Sequence, residues 1–567
     1  MCMNLPKRLS ASVFVIFLLA FPAFATDIYF GPTSAGSNNG TSCANAYAYN
    51  DATHGWSLSA QQVAGNNLHI CTGSWPAFSS GATVFTAVNS GSSGSPITLI
   101  ADQGTVVWQA PYFNNSGAIV LGPAYWTVNG DNNLTIENTL NGTPASYNGG
   151  ATCIGGTCTQ QQNSRLVYIK PCPNSTCNIE VKGLTLYDPY VHLPLSGDTV
   201  IGIGAAECIY LGLGNNNITI DNNKCRNAVD GIDGWGNNID EHSNEIYYCD
   251  TCVAFGSSAP TSNFLFYANH IHDNYTWDET GDSYHHDGLH FYPINGGANV
   301  VGFIAYNNQF DGNFGTCCQT ANFVLEASMT KPIMFNNVCL SQGGDYGMPC
   351  FDSFQNGTGG AAPNTVASPV FYNNSTHGIA YTCPEPCNND IQAIDGYTTT
   401  LSEANNVLTG GAELVGIAPG STVASGGIDY NLYENLVGAG ASHNFNYGSN
   451  YYTTLAQWQA GTGQDAHAQI AAFSAMGLSS EMVPTSNSAL TVGTGKNLYS
   501  VCNSQPIPGL GALCYDKPQT VGPGQPTLGP NARCSTGAWD SGAYTYTSCS
   551  SSGAQPSAPT DLTAIVQ

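Results

Sequence analysis

Six short segments decide the fold: ITIDNNKC (218–225), HSNEIYY (242–248), YANHIHD (267–273), YNNQF (306–310), FNNVC (335–339) and YNNST (372–376). Each sets an asparagine beside a brief apolar run. Asn223, Asn244, Asn269, Asn308, Asn337 and Asn374 are spaced by 21, 25, 39, 29 and 37 residues. The two shorter gaps suit one coil of a β-solenoid, and the longer three suit the same coil carrying inserted loops. An asparagine at the same turn of every coil can stack on its neighbours, its amide donating and accepting along the column. Outside these segments, β-branched and aromatic runs such as AIVLG (118–122) and RLVYIK (165–170) alternate with Gly, Asn and Ser clusters. Few windows keep a helical period, the best being 453–473. The expectation is an all-β chain built as one solenoid.

The first 25 residues have the form of a signal peptide. Lys7 and Arg8 precede an apolar core that ends in Ala23-Phe24-Ala25, with cleavage expected after Ala25. No other stretch is apolar for long enough to span a bilayer. The chain carries 11 Lys+Arg against 37 Asp+Glu, and the leader holds two of the basic residues, so the mature chain stands at nine against 37, or −28. Such a field repels polyanions, which excludes nucleic acid and anionic membrane as partners. Twenty of the 21 cysteines lie beyond the leader, an even number for an oxidising compartment. Close spacing suggests the pairs Cys153–Cys158, Cys172–Cys177, Cys383–Cys387, Cys502–Cys514 and Cys534–Cys549. Cys249 and Cys252 form a CxxC without a second CxxC at zinc-finger spacing, so a disulfide or stacked core thiols are expected there. A secreted monomer is the expectation.

Several segments together resemble a known family. DIYFGPTSAGSNNGTS (27–42), GSPITLIAD (94–102), the asparagine coils, DYNLY (429–433), LAQWQAGTGQDAHA (455–468) and GAWDSGAYTYT (537–547) are similar to secreted proteins of the pectate-lyase-like superfamily. The resemblance spans about residues 27–547. It implies a right-handed parallel β-helix over 26–547, of 14 to 18 coils and ~70–85 Å at ~4.8 Å per coil. It also implies extracellular polysaccharide as the substrate class, but it leaves the activity open, since the superfamily hosts lyases, glycosidases and epimerases. The Arg/Lys pair of pectate lyases and the carboxylate triplet and Gly-His-Gly of polygalacturonases are missing from the central coils. Caps are expected before Asn66 and around Trp458, and residues 548–567 read as a linker followed by one strand of a truncated fibronectin- or Ig-like module.

Three segments share a carboxylate, a small residue, an apolar residue and a variable one: Glu207-Cys208-Ile209-Tyr210, Asp230-Gly231-Ile232-Asp233 and Asp287-Gly288-Leu289-His290. Alternation along a strand sends Ile209, Ile232 and Leu289 inward. That leaves Tyr210, Asp233 and His290 as one outer column flanked by the carboxylates, with Asp250 on the intermediate coil. A polar insertion, HIHDNYTWDETGDSYHHDG (270–288), holds four of the five histidines that fall within 270–290.

From this column Asp287 and Glu326 are expected as acid and base or nucleophile, Asp233 as an auxiliary carboxylate, and His286 and His290 as tuning or transition-state groups. Trp235, Trp277, Tyr284, Tyr292, Tyr210, His270 and His272 are expected to contact sugar. No cofactor is required, although His285, Asp287 and Asp282 could hold Ca²⁺ or Zn²⁺. The expected activity is hydrolysis of a neutral or weakly charged polysaccharide. One alternative is a lyase with a His or Tyr base, which would need a bound metal because no Lys or Arg falls between Arg226 and Lys331. The other is a glycan-binding or surface rod without catalysis.

Overall fold

A computed structural model describes residues 25–142, 161–173, 176–192, 205–256, 260–277, 286–292, 299–315, 321–340, 349–353, 365–378, 392–394, 397–411, 413–437, 441–503, 507–518 and 530–546. The expected leader up to residue 24 and the tail 548–567 lie outside them. The chain forms a right-handed parallel β-helix in which each central coil contributes three short strands. An inbound wall leads into the asparagine turn (218–221, 239–242, 264–267, 303–306), and an outbound wall leaves it (224–226, 245–247, 270–272, 309–311). The third wall (207–211, 230–234, 251–255, 287–292, 323–325) is called the groove wall below. On the inbound wall, successive partners from Tyr29 to Asp429 make thirteen rungs. Thirteen rungs span roughly 58 Å. One further outbound strand, Gln469–Ala471, stacks on Leu432–Glu434, so the stack among the described residues stands at the lower end of the expected 14 to 18 coils, with loops and a C-terminal segment absorbing the rest of the chain.

The asparagine column is continuous. The Asn244 side-chain oxygen accepts from the Asn223 backbone N–H at 3.0 Å and from its amide at 3.1 Å. The same two bonds recur from Asn244 to Asn269, Asn269 to Asn308, Asn308 to Asn337 and Asn337 to Asn374. Each amide also donates to a carbonyl of the preceding coil, as Asn308 does to Phe266 O at 2.9 Å. The structure adds Asn406 and Asn431 to the column. The last amide donates to buried Asp465 at 3.3 Å, which also accepts from Tyr433 and Trp458. A carboxylate suits this position because it only accepts. The residue before each ladder asparagine is left-handed, with φ of 54° at Asn222, 58° at Asn307 and 55° at Asn373. Asparagine tolerates that conformation, which accounts for the repeated Asn-Asn pairs.

Inward residues of all three walls form one apolar core, from Phe30 through Ile220, Phe266 and Phe323 to Trp458. Disulfides Cys208–Cys225 and Cys249–Cys252 lie within it, so the CxxC pairs with itself. Cys172–Cys177 and Cys502–Cys514 form as expected, and Cys43–Cys71 and Cys339–Cys350 add pairs 28 and 11 residues apart. Cys534 is also disulfide-bonded, while Cys153, Cys158, Cys383, Cys387 and Cys549 lie outside the described residues. Helix α1 (Leu455–Thr462), started by a Thr454/Gln457 capping box, seats Trp458 on Phe445 at the end of the core. The helical window thus yields one short helix and a turn, Phe473–Met476. No helix among the described residues is long and apolar enough to cross a membrane.

Residues from Phe473 onward run back along the rod as a strap. They cover an outward apolar stripe, Ile304, Ile333 and Val370, with Leu498, Leu513 and Trp539. The left-handed asparagines hold it: Asn336 and Asn373 donate to Tyr515 O and Asp540 O, and Asn405 accepts from the Lys496 N–H. Arg533, buried under the strap, donates to Asn336 Oδ1 and to the carbonyls of Asp540, Gly542 and Ala543. Burial pushes its pKa down to about 10.

Replacing Asn308 by alanine strands the backbone N–H of Asn269 and the carbonyl of Phe266 inside the core. At ~1–3 kcal/mol for each buried unsatisfied group, a loss of about 2–6 kcal/mol is expected. It would appear as a lower urea midpoint in circular dichroism, and an unchanged midpoint would remove the ladder from the stability of the fold.

Candidate active site

The carboxylate motif works through a bend in the chain. Cys208 and Ile209 both enter the core. In the next coils a side chain on Gly231 would meet Ile246 and one on Gly288 would meet the Phe310 ring. Two inward positions in succession turn residues i and i+3 outward together, so His290 Nδ1 lies 2.9 Å from Asp287 Oδ2.

The stack then builds two parallel columns. At the corner stand Arg165, Glu207, Asp230, Thr251 and Asp287, and on the groove wall stand Tyr168, Tyr210, Asp233, Ala254, His290, Val324 and Asp352. Tyr210, Asp233 and His290 therefore share one wall. Thr251 and Ala254 occupy the intermediate coil in place of Asp250.

Two clusters occupy this surface. In the first, Arg165 grips both oxygens of Glu207, at 3.0 and 3.3 Å, and covers the Tyr210 ring at 3.5 Å from its centroid. Oxygens of Glu207, Asp230 and Asp233 fall within 4.8 Å of one another. Burial raises Glu207 to about 7 against the pull of Arg165, and burial raises Asp233 to about 6. Asp230 rises well above the usual carboxylate range through burial and through repulsion from Asp233 and Glu207. Three crowded carboxylates with one guanidinium between them retain protons into the neutral range.

In the second cluster His290 is gripped at both ends, since Nε2 lies 2.9 Å from Glu326 Oε2. Burial works against its charge, but bonds to Asp287 and Glu326 outweigh it and the pKa is raised. The Tyr292 ring stacks on the imidazole at 3.7 Å, and its hydroxyl meets Thr251 Oγ1 at 3.0 Å. Tyr292 is pushed well above its ordinary pKa by burial and nearby carboxylates, so its hydroxyl stays neutral.

Several expected roles change. Asp287 is fully buried and accepts from the Ala321 N–H as well as facing His290, so it orients the imidazole and cannot reach a glycosidic oxygen. His286 is equally buried, with Nδ1 2.8 Å from Phe314 O, and anchors the start of its strand. Trp235 is turned into the core just after Gly234, whose φ is 151°. Trp277 wedges between Tyr190 and Val229 and stacks on His192 at 4.2 Å. Neither indole can stack on a sugar. His270 and His272 belong to the outbound wall, away from this groove. Tyr284, His285, Asp282 and the neighbouring Asp278 and Glu279 lie outside the described residues, and the Asp287 that was to complete a metal set with His285 and Asp282 is taken by His290.

Arg165 went unrecognised in the sequence. Arg165-Leu166-Val167-Tyr168 repeats the i, i+3 pattern one coil earlier, with a cation in the carboxylate place, and extending the column upstream would have found it.

No protein-family model matches the chain, and no curated protein matches it in sequence. Among solved structures it is similar to a GH136 lacto-N-biosidase from Eubacterium ramulus, at TM-score 0.41 and 11% identity over 79% of this chain and 67% of that one. It is similar to the pectate lyase Pel9A at TM-score 0.32 and 13% identity, over 71% and 78% of the two chains. A rhamnogalacturonan lyase gives TM-score 0.30 and 12% identity, over 78% and 87%.

Substituting Asp287 by asparagine removes a carboxylate that favours the charged form of His290. The imidazole pKa, followed by NMR, is expected to fall by about one unit or more. Because the folded pKa lies above the unfolded value of ~6.5, the pairing stabilises fully below that value and its contribution is lost as pH rises through the folded pKa. The Asp287→Asn variant should therefore differ most from the parent in stability at acidic pH and converge with it at alkaline pH.

Proposed function

We propose that the protein is a secreted glycoside hydrolase acting on a neutral or weakly charged polysaccharide. The Asp230–Asp233 pair is the general acid and Glu326 the base, with His290 held beside Glu326 by Asp287. The observation that carries this reading is one wall bearing two carboxylate groups in opposed environments: a crowded pair whose pKa values are raised, and a carboxylate hydrogen-bonded to an imidazole. Environments that separate acid from base are what glycosidic cleavage requires. The Asp233 and His290 rungs lie two coils apart, roughly 10 Å. The base carboxylate, Glu326, belongs to the next coil and reaches back to His290, a separation wide enough for a water between acid and base, as in inverting rather than retaining enzymes.

In this scheme the glycosidic oxygen takes the proton from the Asp230–Asp233 pair as the C–O bond breaks. Water gives its proton to Glu326 and attacks the anomeric carbon from the opposite side. The six disulfides described and the acidic charge of the chain fit an exported protein that avoids polyanions.

A second reading, a metal-assisted lyase, draws on the same first cluster. Glu207, Asp230 and Asp233 offer an all-oxygen set that would suit Ca²⁺, which would neutralise a uronate carboxylate. The fit is partial, because Arg165 already holds Glu207.

A panel of plant, algal and microbial glycans, with and without chelator, separates the readings. Hydrolysis gives new reducing ends of inverted anomeric configuration and is insensitive to chelator, whereas a lyase gives unsaturated, ultraviolet-absorbing ends. Asp233→Asn and Glu326→Gln are each expected to lower kcat/KM by ~10²–10⁴. The rate should decline as pH rises above about 6, where Asp233 loses its proton. Wild-type turnover in both variants would exclude this site.

A further inference from the structure

Where the strap meets the outbound wall, a primary amine is set against a carboxamide. Strand Gln309–Asp311 leaves the asparagine turn with Phe310 in the core, so Gln309 and Asp311 project from the same outer side. Lys517 of the strap reaches them, and its Nζ lies 3.1 Å from Gln309 Oε1. Gln309 Nε2 in turn donates to Asp311 Oδ2 at 2.5 Å. Amine, carboxamide and carboxylate therefore stand in line, the first two drawn together across 208 residues of sequence.

Both sides of this contact are held by main chain. The Gln309 N–H donates to Asn269 O at 2.9 Å, beside the ladder. On the strap, the Lys517 N–H donates to Ala543 O at 2.8 Å. The adjoining Asp516 accepts from the N–H and amide of Asn531 and from the N–H and hydroxyl of Thr545. Asp311 is fixed by its other oxygen, which lies 2.7 Å from His270 Nε2. Lys517 is buried, and among the described residues its Nζ meets one further acceptor, Pro518 O at 3.5 Å. Burial lowers its pKa to about 8 against the pull of Asp311, Glu481 and Asp516. A desolvated lysine of this kind is in part a neutral amine near physiological pH, and the neutral amine is a nucleophile.

We propose that Lys517 and Gln309 condense into an intramolecular isopeptide bond, with Asp311 carrying the proton, so that the strap is covalently tied to the rod. The neutral Nζ attacks Cδ of Gln309, and the carbonyl electron pair moves onto Oε1. Nζ then gives one proton to Asp311, which passes it to Nε2, the nitrogen it already faces. As the carbonyl re-forms, the Cδ–Nε2 bond breaks and its electron pair leaves with nitrogen as ammonia. One amide replaces another, so the step needs no oxidant, reductant or activating group. Held partners can reach effective molarities of ~10⁵–10⁸ M, and a positioned carboxylate adds ~10²–10⁴-fold to proton transfer. The bond lies apart from the groove and is independent of the function proposed above.

Mass spectrometry of the full-length protein, reduced, alkylated and digested, tests this directly. A branched peptide joining Gln309 to Lys517 is expected, lighter by one ammonia than its two parts together. Lys517→Arg should abolish it, and Asp311→Asn should lower its yield in freshly purified protein at least tenfold. On a reducing, denaturing gel the parent should run faster than Lys517→Arg, because the link closes a loop of 208 residues. Circular dichroism confirms that the variants fold, and the parent alone decides the matter if one does not. Recovery of Gln309 and Lys517 only in separate linear peptides of the parent overturns the proposal. Full linkage in Asp311→Asn overturns the role given to Asp311.

Discussion

Every coil of this rod must turn at the asparagine corner without leaving a main-chain polar group stranded in an apolar interior. One side chain meets that constraint. The ladder amide accepts the backbone N–H of the previous asparagine and donates to a carbonyl of the previous coil, closing bonds that the turn would otherwise open. The same residue type serves the position before it, where the left-handed backbone is needed and where the amide points out toward the strap. An Asn-Asn pair thus fixes the turn from both sides, and the column ends only where Asp465 supplies a group that accepts without donating.

With the corner fixed, the register of the other walls follows, and with it the site. Glu207, Asp230 and Asp287 come from coils separated by 23 and 57 residues in sequence, yet they stand in one column with Thr251 between the last two. Their crowding is expensive in an interior of low dielectric. The chain relieves it in two ways: Arg165 shares the charge at one end, and His290 takes it up at the other. The acid and the base of the proposed reaction are, on this view, two solutions to the same electrostatic problem.

Much of this could be read from sequence. The asparagine period gave the architecture, and the i, i+3 carboxylate motif gave the groove-wall column, because both depend on local alternation and on stacking. What sequence could not convey was depth. Asp287 and Asp230 occupy equivalent corner positions, but Asp287 is wholly enclosed and Asp230 is not, a difference made by whatever packs over each coil. Trp235 and Trp277 look like sugar platforms by type and are core residues by placement. His270 and His272 lie close to His290 in sequence, yet the corner between their strands sends them to another wall. The strap was hidden for a different reason: its partners lie about 100 to 200 residues earlier in the chain, and no period announces them.

A stack whose coils touch only their neighbours ordinarily frays from its ends, one coil at a time. Here the strap joins Gln309, Asn336, Asn373, Asn405 and Tyr430 through groups that include a buried guanidinium. It acts like the spine of a ring binder, holding pages that are also bound to each other. The coils it joins cannot peel open without first pulling Arg533 out of its nest of carbonyls, and because the strap follows in sequence every coil it binds, the rod is secured only after all of those coils have been made.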